Sequence, residues 1–316
     1  MRPKSLIAVL CGLFLAAACT TPGPAPAPSP TTDRDEALTA AEALGEYSSL
    51  DYCSLVDQRK VIGGGNAVKP PLASFEFCHL EFVEGANRYT VTTGPIASGQ
   101  DPNNQPYDYA GNLPEGISVQ QSTFNAETAC TRLLTFADGI RLSIVVTSDN
   151  QDPADQANRC RIADATVGSA AGVITARTIG RLTLDQRSWG RVAPCALLDQ
   201  HELDAAAGPE TIPAPALSGH SCIRGKVSVA LAVGADTTPG ATEALGGRQV
   251  QVATSGAFCQ VTTHRPMPGT PDRVEQVTLS VVGVDGAGGT GGADGAGDAG
   301  CAAAREVAVA VFPKLP

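Results

Sequence analysis

The chain is short of basic residues. Its 316 residues carry 22 Lys and Arg against 32 Asp and Glu, a formal net charge of −10. An acidic chain has no electrostatic footprint for a phosphate backbone, so nucleic acid is excluded as a partner. Aromatic residues are equally scarce, at 4%, with Trp189 the single tryptophan. That is too little for platforms on which bases or sugars stack. No two cysteines form a C-x-x-C pair, so the usual spacing of zinc ligands is missing, and neither a metal nor a cofactor is expected. No two of His79, His201, His220 and His264 stand four residues apart, and H-E-x-x-H and G-x-S-x-G are both absent. What the chain has instead is apolar material, 43% of its residues, enough for a folded core.

The N-terminus reads as an export signal. Arg2 and Lys4 precede residues 6–18, an uncharged apolar run of 13. A bilayer-spanning helix needs about 20 residues, so the run fits a signal peptide, residues 1–18, that is cleaved. Ala16-Ala17-Ala18-Cys19 resembles a bacterial lipobox, with Leu15 one place early. Cys19 is therefore the expected lipidation site and mature N-terminus. Residues 19–32 follow as a linker, with proline at 22, 24, 26, 28 and 30. Such a segment favours extended polyproline II, and at ~3.1 Å per residue it reaches ~40 Å from the membrane. Loss of Arg2 and Lys4 takes the side-chain charge from −10 to −12. The lipid, and no basic patch, then has to hold the protein on the outer face of the cytoplasmic membrane.

Cys11 leaves with the signal and Cys19 carries lipid. The remaining eight fall into two sets of four: Cys53, Cys78, Cys130, Cys160, and Cys195, Cys222, Cys259, Cys301. The offsets between sets are 142, 144, 129 and 141 residues. The local text repeats too, Cys53-Ser-Leu-Val-Asp57-Gln58 matching Cys195-Ala-Leu-Leu-Asp199-Gln200. A duplicated domain follows, with repeats at 33–180 and 181–316. An even cysteine count in an exported chain is a disulfide framework. Pairing within each set, in one pattern for both, leaves three arrangements. The one expected is Cys53–Cys78, Cys130–Cys160, Cys195–Cys222 and Cys259–Cys301, each stapling a helix end to a strand.

Hydrophobic periodicity predicts the elements. In the first repeat helices are expected over 33–47, near Cys53, and over 153–176. Strands are expected over 75–82, 88–93, 116–123, 126–135 and 140–147, with a hairpin turn at Asp138-Gly139. In the second, helices are expected over 194–207 and 301–311, with strands over 222–233, 248–254, 257–264 and 274–284. The class is α+β: two tandem homologous domains, each an antiparallel sheet covered by helices and stapled by two disulfides. Residues 283–300 read as a glycine-rich connector. His79 points away from the Cys78 face, towards solvent, and Trp189 packs near the junction.

Pro194-Cys195-x-Leu197-Leu198 before Gly208, a cysteine opening a strand at Cys222, then Cys259, and Cys301 starting a helix that ends Val-Phe-Pro-Lys-Leu-Pro316 form a pattern. It resembles the actinobacterial lipoprotein family named domain of unknown function 3558. The first repeat departs from it, with Tyr52 in place of the proline and Val56 in place of the second leucine. The cysteine layout is also similar to that of extracellular sensor domains of mycobacterial membrane kinases. The resemblance implies an envelope lipoprotein and brings no catalytic residues.

The expected function is a non-catalytic binding module of the cell surface, for a small-molecule, lipid or protein ligand. A hydrolase whose site forms only in the fold, and an accessory partner of another envelope component, are the alternatives. Residues 101–109 (Asp-Pro-Asn-Asn-Gln-Pro-Tyr-Asp-Tyr) have no clear counterpart in the second repeat. They place Tyr107 and Tyr109 beside carboxylates and amides, and these two tyrosines are the candidate ligand contacts.

Overall fold

A computed structural model describes residues 37–199, 201–208, 211–235, 243–255, 258–282 and 296–316. The signal, Cys19, the linker and most of the glycine-rich connector lie outside the described residues. Residues 37–316 form one compact unit, built on two antiparallel sheets with helices and four disulfides. The class is α+β.

The first sheet contains β1 (Asn66–Ala67), β2 (Leu72–Ala73), β3 (Cys78–Glu84), β4 (Asn87–Ala97), β5 (Asn104–Tyr107), β6 (Ser118–Ser122), β7 (Ala129–Thr135) and β8 (Arg141–Ser148). Its order is β1-β3-β4-β8-β7-β6-β5, with β2 also paired to β3. Helices α1 (Ala40–Leu44) and α2 (Gln58–Ile62) precede it, and α3 (Gln156–Ala176) closes it. The second half begins with α4 (Pro194–Leu198) and α5 (Asp204–Ala207). Then come β9 (Ala214–Pro215), β10 (Ser221–Arg224), β11 (Val227–Ala235), β12 (Glu243–Leu245), β13 (Arg248–Ser255), β14 (Phe258–Met267), β15 (Thr270–Val282) and α6 (Ala296–Val311). Read from β9, the second sheet runs β9-β10-β11-β15-β14-β13-β12. Position for position this is the path of the first sheet, with β12 standing where β5 stands. Residues 101–109 are thus no unmatched insertion: they supply an edge strand that both sheets possess.

The sheets form because alternate residues are apolar. Along β8, Leu142, Ile144 and Val146 are buried while Arg141, Ser143 and Val145 are not. Against that buried face lies α3, whose Ile162, Ala163, Thr166, Val167, Ala170 and Ile174 recur at three- and four-residue spacing. Val307, Ala308 and Val311 of α6 pack likewise on the second sheet. The disulfides are Cys53–Cys78, Cys130–Cys160, Cys195–Cys222 and Cys259–Cys301, with Cα–Cα distances of 4.8–5.2 Å. These are the pairs expected.

Several elements differ from expectation for local reasons. The first helix is one turn, opened by a capping box between Thr39 and Glu42 and stopped at Gly45, whose φ is +68°. A Cβ at Gly45 would collide with the Arg181 guanidinium. The expected strand 222–233 is a hairpin, β10 and β11, turned at Gly225 with φ +57°. A side chain there would strike the Ala207 carbonyl. The expected helix 194–207 is broken into α4, a 3₁₀ turn at His201–Leu203 and α5.

Candidate functional site

The face of the first sheet opposite α3 carries a groove. The alternation that buries Cys130, Arg132 and Leu134 on the helix side of β7 turns Thr131, Leu133 and Thr135 outward. On β8 it turns Arg141, Ser143 and Val145 to the same outer face. The pairing of β4 with β8 shifts register between Thr93 and Ile96, and Pro95 and Ala97 beyond Thr93 line the groove. The chain beyond it is shaped by Asp101, whose Oδ1 accepts from the Asn103 backbone N–H and side-chain amide, both at 2.9 Å.

Two adjoining cavities share Asp101, Asn104 and Arg141. One, about 310 Å³, is polar and is lined by Gln120 and Thr135. Behind its wall the Gln120 Oε1 and Thr135 Oγ1 atoms are buried with no hydrogen-bond partner. The other, about 350 Å³, is walled by Pro95, Ala97, Phe124, Leu133 and Val145. Phe124 is 65% exposed. Arg141 stands between the two ends and forms no ion pair with a described residue. The combined site has an apolar trough with one cation, Arg141, and one carboxylate, Asp101, at its polar end, an amphiphilic lining.

The equivalent face of the second sheet is different. Cys130 is paired in register with Val146, and Cys259 with Val281. Leu133, Val145 and Arg141 therefore correspond to Thr262, Ser280 and Gln276. Thr262 and Thr278 spend their hydroxyls on each other at 3.1 Å.

Tyr107 and Tyr109 are placed on the other face. The Tyr107 hydroxyl donates to Asp164 Oδ2 of α3 at 2.8 Å, and the Tyr109 hydroxyl to the Asp164 carbonyl at 3.2 Å. Arg132 Nε donates to Asp164 Oδ1 at 2.8 Å, and its guanidinium carbon lies 3.8 Å from the Tyr107 ring centroid. Burial, with Asp164 nearby, pushes the Tyr109 phenol above its ordinary pKa. Both tyrosines are thereby tied to the helix, whereas Asp101 and Asn104 of the same segment line the groove. The groove's other walls were missed by motif reading. A signal was present: Leu133-Leu134 and Ile144-Val145-Val146 are apolar in both phases of the alternation, as in strands covered on both faces.

A second cluster lies where the halves meet. Ser218 and Ser221 hydroxyls both donate to Glu76 Oε1. His220, 2% exposed, stacks on Phe75 at 5.1 Å and donates from Nε2 to the Ser48 carbonyl at 2.8 Å. Serines, histidine and carboxylate are thus close, but among the described residues no serine hydroxyl hydrogen-bonds the imidazole, so no described serine has this histidine as its general base. His79 is half-buried, not solvated: its Nδ1 meets Thr92 Oγ1 at 2.9 Å, and burial lowers its pKa. Trp189 is fully buried, with Nε1 donating to the Pro316 carbonyl at 3.0 Å. Among the described residues no group of three or more His, Cys, Asp and Glu could hold a metal ion. No described helix is long and apolar enough to cross a membrane.

No family model matches the chain, and no curated protein matches it. A similar solved structure is the crystal structure of DynU16, from the dynemicin biosynthetic locus. It is 13% identical, covers 84% of this chain and 92% of its own, and has a TM-score of 0.18. At that score the likeness carries no argument.

Proposed function

We propose that the chain is an exported lipoprotein of two tandem homologous α+β domains, residues 33–180 and 181–316. Cys19 and the linker 19–32 tether it to the outer face of the cytoplasmic membrane, where it acts as a non-catalytic binding module for an amphiphilic small molecule. The shared strand order and matched cysteine positions support the duplication. Four disulfides fit an oxidising compartment. The anchor is tested by Cys19→Ala, which is expected to release the protein to the medium or leave the precursor uncleaved. Unchanged membrane association in that variant removes the anchor from the reading.

The observation that carries the binding role is the groove of the first sheet, apolar at Leu133 and Val145 and cationic at Arg141, where the second sheet has Thr262, Ser280 and Gln276 at the corresponding positions. The test exchanges one pattern for the other. The triple variant Leu133→Thr, Val145→Ser, Arg141→Gln gives the first sheet the residues the second already carries. Binding of the anionic amphiphile 1-anilinonaphthalene-8-sulfonate, followed by fluorescence, is expected to weaken at least about tenfold, or ~1.4 kcal/mol. Far-UV circular dichroism should stay unchanged. Undiminished binding by the folded variant rejects the groove.

A further inference from the structure

The charges of the groove narrow the class of molecule it takes. Among the described residues that line its two cavities, only Arg141 and Asp101 are charged, and each lines both. Arg141 opens β8, held in register with Ala97 of β4 and Thr135 of β7. Asp101 lies between β4 and β5. The cavity they share with Leu133 and Val145 is apolar, and the one they share with Gln120 and Thr135 is polar.

The two side chains have opposite signs and do not neutralise each other. No ion pair joins them, and neither pairs with another described residue. Asp101 Oδ1 is taken up by the Asn103 backbone N–H and side-chain amide, which leaves Oδ2 without a partner among the described residues. Solvent screens both charges while the groove is open. An amphiphile lying along the trough displaces that solvent, and a charge stripped of water with no partner is costly. An anionic amphiphile answers Arg141 and leaves Asp101 uncompensated. A cationic one does the reverse.

A ligand that carries both signs compensates both. Building on the binding role given to the groove, we propose that it takes a zwitterionic amphiphile, with an apolar chain against Leu133, Val145 and Phe124, an anionic group on Arg141 and a primary ammonium on Asp101 Oδ2. A guanidinium fork matches a phosphate or carboxylate through two parallel hydrogen bonds. An ammonium brings three donors, and a carboxylate oxygen with free lone pairs accepts them. The second sheet has Gln276 where Arg141 stands, so its open face lacks this cation.

Lauroyl-lysophosphatidylethanolamine is a suitable probe, and its N-acetyl derivative the control, equal in chain and phosphate but without the ammonium. Both are measured by displacement of bound 1-anilinonaphthalene-8-sulfonate, below their critical micelle concentrations. The zwitterion should displace the dye at concentrations at least about tenfold lower than the N-acetyl form or dodecylamine, which carries a cation alone. L-Leucine, which bears both charges on a side chain too short for the trough, should be weaker still. In folded Asp101→Asn, whose amide oxygen can still accept from the Asn103 N–H, the zwitterion should lose its advantage over the N-acetyl form. Equal displacement of the dye from the parent protein by the N-acetyl form or by dodecylamine overturns the zwitterion, as does an advantage that survives in Asp101→Asn. Dye binding then still supports the groove. Equal displacement by L-leucine overturns the amphiphile. Failure of the dye itself to bind the parent protein removes the groove, and the zwitterion with it.

Discussion

Phe75→Ala is expected to lower stability by about 3–5 kcal/mol, as removal of a fully buried phenylalanine does. Phe75 is 1% exposed, and although it precedes β3 of the first sheet it belongs to the second half's core, beside Trp189 and Leu198. Its ring is packed so closely on Gly190 that a Cβ there would come within 2.7 Å of it. Collapse around the truncated side chain is hindered, because Gly190 sits in a 3₁₀ turn anchored by Glu275. That buried carboxylate accepts from the Ser188 hydroxyl and from Trp189 N at 2.9 Å. The loss should also be uneven. Trp189 is the only tryptophan and lies in the second core, so its fluorescence follows that half alone. In urea, the fluorescence and far-UV dichroism transitions should coincide for the parent protein. In Phe75→Ala the fluorescence midpoint should move lower than the dichroism midpoint. A loss under about 1 kcal/mol with coincident transitions would show that the ring does not lock the halves.

The second large effect is expected from the disulfide with the longest closed loop. Cys259 on β14 and Cys301 on α6 are 42 residues apart, against 25 for Cys53–Cys78. Loop-closure entropy assigns about 4 kcal/mol to the former and about 3.5 kcal/mol to the latter. The longer bridge also ties down α6, which supplies Ala304, Val307, Ala308 and Val311 to the second core. The double variant Cys259→Ala, Cys301→Ala should lose about 4 kcal/mol in denaturant unfolding, while the Cys53–Cys78 deletion loses slightly less. Equal stability of parent and double variant would refute the loop-entropy account of this bridge.

Local chemistry settled much of this molecule in advance. Two-residue alternation marked β3, β7 and β8 within a few residues, and Asp138-Gly139 marked the turn joining the last two. There the Phe136 N–H meets the Ile140 carbonyl at 2.9 Å. The repeated cysteine offset cut the possible pairings to three, because it is visible without knowing any contact, and the expectation that each bridge staples a helix end to a strand chose among them. At two places where expectation failed, the cause was a glycine whose role depends on a distant neighbour. Gly45 stops α1 against Arg181, and Gly225 turns the β10–β11 hairpin against Ala207.

The candidate sites belong to the second category. Alternation states which residues share a face of a strand. It does not state what covers that face, so Leu133 and Val145 were legible as apolar and illegible as the wall of a groove. Tyr107 and Tyr109 stood out by composition, yet only packing against α3 consumed their hydroxyls on Asp164, 57 and 55 residues away. His220 reaches Ser48 across 172 residues, and Phe75 enters a core made almost entirely by the other half. Sequence alone determined the central strands β3, β7 and β8, the turn at Asp138-Gly139 and a short list of covalent staples, because these are set by neighbours along the chain and by a repeat that can be counted. Tertiary structure alone decided the groove, the crossing of Phe75 and the burial of His220, because each exists only where segments far apart in sequence exclude water from the same volume.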